Sequence, residues 1–210
     1  MHISEGFLSP QMLATGWAIA GAGVAVGLKK VNMDKIVPVA AMSSVFFLAS
    51  LINVKVGPSS THLSMIAPIG LILGWSSFPA VMVALILQAV LFQFGGLLVL
   101  GVNTVTIALP ALIVYLLFAR AVRGQRPMRA AAASFAAGFL AVVLCAVGVG
   151  CFLGFSDANF LGAVKVVFLT HLPLAVIEGV ITLFLVAFLK KAAPDILMGV
   201  GKADTPSGVQ

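Results

Sequence analysis

The chain has 210 residues, of which 61% are apolar and only 9% charged, and its formal net charge is +6. Mean hydropathy is +1.19, whereas a soluble domain averages about 45–50% apolar and about 25% charged residues. This composition excludes a soluble globular protein, a disordered chain and a nucleic-acid-binding module, and it predicts an all-α integral membrane protein.

The opening segment Met1–Pro10, MHISEGFLSP, is polar, carries no Lys or Arg and precedes no A-x-A cleavage pattern. It reads as a retained segment, not a signal peptide. At about 20 residues per span, the apolar runs that follow provide about seven transmembrane helices. The first covers about Met12–Leu28 and the second about Ile36–Asn53. Gly57, Pro58 and Ser59 break the chain before a short third run, His62–Gly74. Trp75–Pro79 reads as a tight turn, and a fourth run follows at about Ala80–Phe94. The last three cover about Val102–Ala119, Ala130–Phe155 and Leu161–Leu189. Residues 1–191 then form one membrane domain with an N-terminal segment 1–10, and 192–210 form a polar tail expected to be flexible.

Loop charge sets the orientation. With seven spans, Lys29, Lys30, Lys35, the four arginines 120, 123, 126 and 129, and Lys190, Lys191 and Lys202 fall on one side. That is ten of the twelve basic residues, with only Lys55 and Lys165 opposite. Lys and Arg mark cytoplasmic loops, so the C-terminus is expected in the cytoplasm and the N-terminus outside. This topology brings His2 and His62 to the same, extracytoplasmic face.

A free Met1 amine followed by His2 is a tridentate nitrogen chelator. The amine, the His2 backbone nitrogen and the His2 Nδ1 close a five- and a six-membered ring around one cation, and a nitrogen from His62 would complete a square. Square-planar nitrogen ligation suits Ni²⁺ or Cu²⁺, a tetrahedral set Zn²⁺. The competing reading makes His2 a solvated terminal residue and His62 a loop or cap residue, with Ser59, Ser60 or Thr61 capping a helix that starts at His62.

Three polar residues in apolar runs are candidates for supporting or transit roles. His171 and Glu178 lie seven apart, two helical turns, on one face of the last span, and ionisable groups at membrane depth face a bundle interior. They serve an ion in transit or tie helices together. Asn103, in a glycine-rich stretch, is placed to orient a metal-bound imidazole. Cys145 and Cys151 are six apart with no metal-binding or redox spacing. No G-x-x-x-x-G-K-[ST] phosphate loop occurs, so no ATPase activity is expected from that source. Nor does H-E-x-x-H, and His171 lacks a nucleophile at helical spacing other than Thr182, which disfavours an intramembrane hydrolase. An autonomous divalent-cation channel is the remaining alternative.

MHISEGFLSP at the start, GPSSTH (57–62) and FGGLLVLGVNT (94–104) together resemble the CbiM/NikM family. These are the substrate-binding membrane components of energy-coupling-factor transporters for cobalt and nickel. The resemblance implies seven helices, Ni²⁺ or Co²⁺ as transported substrate, and ligands at Met1, His2 and His62. It also implies partners: a transmembrane coupling subunit, cytoplasmic ATP-binding-cassette ATPases and a small accessory membrane subunit, in a bacterial or archaeal cell membrane. Ser4 stands where many members carry proline, and a planar nitrogen set leans towards nickel.

Overall fold

The structure, a computed structural model, describes residues 2–51, 53–56 and 59–198; for 33–35, 53–56, 59–61 and 198 it describes the backbone alone. The expected Met1 ligand, the Gly57–Pro58 turn and most of the tail, 199–210, lie outside the described residues. The chain is predominantly helical, in the order α1 (Pro10–Lys29), α2 (Met33–Ala49), β1 (Asn53–Val56), β2 (Ser59–His62), α3 (Ile66–Leu73), α4 (Ser77–Phe92), α5 (Leu100–Arg123), α6 (Pro127–Ser156), α7 (Leu161–Ala192) and α8 (Pro194–Met198).

Five apolar stretches are long enough to cross a membrane: Pro10–Lys29, Ile66–Phe92, Leu100–Arg123, Pro127–Ser156 and Ala158–Ala192. The apolar helix Ile36–Ala49 is shorter. The Ile66–Phe92 stretch is not one straight helix. Gly74 adopts φ +55°, a region that disfavours a β-carbon, and a 3-10 turn, Gly74–Ser76, separates α3 from α4. At that turn Gly27, near the end of α1, packs against Trp75 and Pro79. At the far end of α4, Gly95 lies against the N-terminal segment, where Glu5 N–H donates to its carbonyl at 3.2 Å. So α4 runs antiparallel to α1, back towards the start of the chain.

Element boundaries differ most around His62. The expected helix start at His62 is not observed: His62 ends strand β2, whose backbone pairs with Asn53 in a two-stranded antiparallel hairpin, and α3 begins only at Ile66. A β-branched and hydroxyl-rich stretch (NVKV, SSTH) favours extended backbone, which explains why the run after Ala49 leaves helix. Met65 precedes α3 at φ +53° with no side-chain cap of its own, and residues 59–61 belong to strand β2, four to six positions before it.

Helix α5 is the centre of the bundle, touching α1, α3, α4 and α6. Small residues bring backbones together, as membrane helices without a hydrophobic drive between them require: Gly16 of α1 abuts Val102, and Gly101 abuts Trp17. Helix α7 packs chiefly on α6. Its buried face is one stripe, Val167, His171, Ala175, Glu178, Thr182 and Val186, while Leu169, Phe184 and Phe188 on its other sides are about two-thirds exposed. The beginning of the tail is ordered on the bundle: α8 packs on α3 and α7, buries Leu197 and accepts a 2.7 Å hydrogen bond from Arg123 Nε at the Leu197 carbonyl.

Candidate metal centre

The N-terminal segment folds over the connection between α4 and α5, where its backbone finds partners. Asn103 accepts from Ile3 N–H at Oδ1 (2.8 Å) and donates from Nδ2 to the Ile3 carbonyl (3.0 Å). This pair imitates a strand ladder on one residue. Glu5 adds a second clamp, its Oε1 accepting from Leu98 N–H at 2.9 Å. Ser9 N–H donates to Ser156 Oγ at 3.2 Å, and Ser9 Oγ accepts from Met12 N–H as the α1 cap. Ile3 is fully buried. Asn103 thus fixes the backbone next to His2.

Held in this way, His2 meets His62. Their ring centres are 4.7 Å apart with planes inclined by 24°, and each residue is 2% exposed. Phe46 from α2 closes the site edge-on to His62 at 6.1 Å. Gln88 of α4, fully buried, brings its amide against His2. Burial, above all, holds both imidazoles well below the ordinary histidine range, so both are neutral at pH 7. The His62 Nδ1 lies 2.9 Å from the Leu63 carbonyl, and its Nε2 is buried with no hydrogen-bond partner among the described residues. Nδ1–H donating to a carbonyl leaves the Nε2 lone pair open, the tautomer in which an imidazole ligates a metal.

Glu178 reaches the same region from α7. Its carboxyl group accepts from Ser64 N–H, from Ser64 Oγ at 2.9 Å and from Met65 N–H at 3.0 and 3.2 Å. It does the work expected of Ser59, Ser60 or Thr61, occupying the start of α3 from another helix. His171, two turns earlier on the same stripe, directs Nδ1 to the Val167 carbonyl at 2.6 Å, leaving Nε2 buried and without a partner among the described residues. Among the described residues Glu178 bonds the β2–α3 segment, whereas the hydrogen bonds of His171 stay within α7.

Among the described residues no group of three or more His, Cys, Asp or Glu side chains is arranged to hold a metal. Cys145 is buried in α6 and Cys151 exposed, both free. Glu5, Phe46 and Gln88 were missed from sequence. Gln88 carried a usable signal, a lone amide inside the apolar run 80–94; Phe46 and Glu5 carried none.

The sequence matches, over residues 2–196, the family described as "CbiM: Cobalt uptake substrate-specific transmembrane region". The chain belongs to the CbiM family. Among its relatives, a putative metal transport protein of Haemophilus influenzae is 34% identical over 94% of this chain and 97% of its own length. A putative cobalt transport protein, CbiM, of Methanocaldococcus jannaschii is 32% identical, covering 96% of this chain and 92% of that protein. The fused nickel transport protein NikMN of Rhodobacter capsulatus is 31% identical, with 94% of this chain matching 64% of that longer protein. A crystal structure of a truncated transition metal transporter superposes with a TM-score of 0.74 at 27% identity, covering 91% of this chain and 99% of that one. Membership and the long apolar helices together make this a multi-pass membrane protein of a transporter family, not of an enzyme family.

Proposed function

We propose that this CbiM-family chain is the substrate-binding membrane subunit of an energy-coupling-factor importer, capturing Ni²⁺ or Co²⁺ at the outer face. The ion is held by the Met1 amine, the His2 backbone nitrogen and imidazole, and the His62 imidazole. One observation carries this reading, the 4.7 Å approach of the two rings. With metal–nitrogen bonds of about 2.0 Å, imidazoles on adjacent corners of a square hold their ring centres about 4.4 Å apart, and on opposite corners about 6 Å. In an amine–amide–imidazole chelate the vacant fourth corner stands next to the imidazole, so the adjacent spacing is the one required. Planar nitrogen donors favour Ni²⁺ over Co²⁺.

The turn at Gly74 and the antiparallel course of α4 support seven crossings, with α3 and the hairpin leading inward and α4 leading back. The basic residues after α1, α5 and α7 then lie in the cytoplasm and the histidines outside. The chain lacks a phosphate loop, so transport energy comes from cytoplasmic ATP-binding-cassette subunits through a transmembrane coupling subunit, with a small accessory membrane subunit as a further partner. A cavity of about 450 Å³ where α5 ends, α6 begins and α7 leads into α8, lined by Arg123, Ser134, Lys190 and Leu197 among others, offers the coupling subunit a place at the cytoplasmic side. His171, with its unpartnered Nε2, serves the ion in transit. The setting is the cell membrane of a bacterium or archaeon.

The test is Ni²⁺ titration of the full chain beginning at Met1, followed by visible absorption. A yellow, planar spectrum at one ion per chain is expected, and two residues added before Met1 should abolish it by converting the amine into an amide. An extended chain that binds with an unchanged band overturns the chelate.

A further inference from the structure

Helix α7 contributes no ligand to the proposed site, yet it carries an ionisable side chain buried to 1% exposure at the point where the His62 strand turns into α3. A buried ionisable group in a membrane bundle is costly and calls for a reason. Helix α3 receives no cap from the side chain of Met65, the residue before it, and the backbone that enters it needs partners of its own. Glu178 takes the amides of Ser64 and Met65 and the Ser64 hydroxyl together. Among the described residues these are the hydrogen bonds that join α7 to the β2–α3 segment, and they fall two and three residues beyond His62.

The packing around Glu178 is built for this reach. Gly138 of α6 faces it, and a β-carbon there would stand 2.5 Å from the Glu178 carbonyl oxygen and 2.7 Å from Gly179 Cα. The missing side chain lets α7 lie close at that level. Elsewhere α7 rests on α6 along one stripe, and its remaining sides are largely exposed.

We propose that Glu178 is a positioning residue of the metal site: its carboxyl group holds the Ser64–Met65 backbone and thereby His62, so that displacement of α7 against α3 loosens a metal ligand. This rests on the reading of His62 as a ligand. It assigns α7 the part of the moving element, because its far end, with Lys190 Nζ donating to the Gly124 carbonyl at 2.7 Å, borders the cavity offered to the coupling subunit.

The test uses the full chain beginning at Met1, reconstituted in lipid nanodiscs and titrated with Ni²⁺ alone, reading affinity by chelator competition and ligand field by visible absorption. Glu178→Leu removes every acceptor and is expected to weaken Ni²⁺ binding about 10- to 100-fold, the usual cost of losing a group that orients a ligand, with a shifted or broadened band. Glu178→Gln keeps Oε1 as an acceptor and should restore the band and most of the affinity. Gly138→Ala, which displaces α7 without touching the carboxyl group, should reproduce the Glu178→Leu band and keeps the inference testable if Glu178→Leu fails to fold. An unchanged band and affinity in folded Glu178→Leu, or in folded Gly138→Ala, overturns the positioning role, as does a Glu178→Gln chain no better than Glu178→Leu. A wild-type chain that takes up no Ni²⁺ overturns the site itself and this inference with it; a wild-type chain that binds normally beside indifferent variants overturns this inference alone.

Discussion

Replacing Asn103 by leucine should weaken metal binding without touching any ligand. The Asn103 amide makes two buried hydrogen bonds, both to the backbone of Ile3, and leucine has the same branched shape, though bulkier, with neither donor nor acceptor. Leaving a buried N–H and a buried C=O unpaired costs about 1–3 kcal/mol each, so about 2–6 kcal/mol is removed from the docked N-terminal segment. The segment does not bear that cost in place; it lifts away, and only the docked fraction can bind, which divides the apparent affinity by the population lost. The remaining bonds, Glu5 to Gly95 and Leu98 and Ser9 to Ser156, together with buried Ile3, retain part of the docking free energy. The expected loss is therefore nearer the lower limit, about 2–3 kcal/mol, or about 30- to 150-fold in Kd. Chelator competition with Ni²⁺ measures it, and size-exclusion profiles confirm an intact bundle. The planar band at saturation should be unchanged, because the ligands are intact once docked. A folded Asn103→Leu chain within threefold of wild type would refute the argument that this amide holds His2 in place.

Two further outcomes are expected. Both site imidazoles are held low by burial, so the docked state binds fewer protons than the undocked one and is fully favoured above the free histidine value of about 6.5; as pH falls below that value, the protection of residues 2–8 of the metal-free chain against hydrogen exchange, taken relative to the intrinsic rate at each pH, should fall, and protection that stays level down to pH 5 would contradict it. In a background lacking Cys145 and Cys151, Arg126→Cys, exposed between α5 and α6, should resist an impermeant thiol reagent added to intact cells, and ready labelling from outside would reverse the topology.

A multi-pass helical membrane protein was legible because membrane spans are composition before they are anything else: a run of apolar residues near the bilayer thickness has no competing use in a chain of this hydropathy, and five stretches of the structure are long enough to cross where seven runs had been expected. The stretch from Ile36 to Gly74 was harder. Its apolar residues continue past the end of α2, but Val54 and Val56 belong to a hairpin paired in backbone register with residues 59–62, and only the polar interruptions of that stretch mark the change. Sequence reading therefore made His62 a helix start when it ends a strand. The meeting of His2 with His62 followed from counting crossings, since two segments 60 residues apart share a face once an even number of spans separates them. What crossings cannot give is the partner of each polar group. Asn103 has a donor and an acceptor at the spacing of a peptide unit, and Ile3 supplies that unit, a pairing that sequence context does not announce. Glu178 was read as sharing a face with His171, which it does, but its partners are backbone amides of a helix start 113 and 114 residues earlier, and no spacing rule reaches them.

The donor types also bear on which ions the proposed site refuses. Mg²⁺ and Ca²⁺ need several oxygen ligands, and the nearest carboxyl groups are engaged elsewhere: Glu5 on the Leu98 amide and Glu178 on Ser64 and Met65. Softer ions held by several thiolates find no such cluster among the described residues, where Cys145 and Cys151 are single, free thiols in α6. A nitrogen set that excludes both classes leaves the later divalent first-row ions, within which affinity rises from cobalt to nickel. Such a site also has to let go of its cargo, and neutral imidazoles do so more readily than thiolates that would hold the ion as a permanent centre. Selection by donor type and release by moving one imidazole are thus compatible in the same few residues, provided that His62 sits on a segment another helix can pull. In this chain that segment is the short β2–α3 junction, and the helix that grips it is α7.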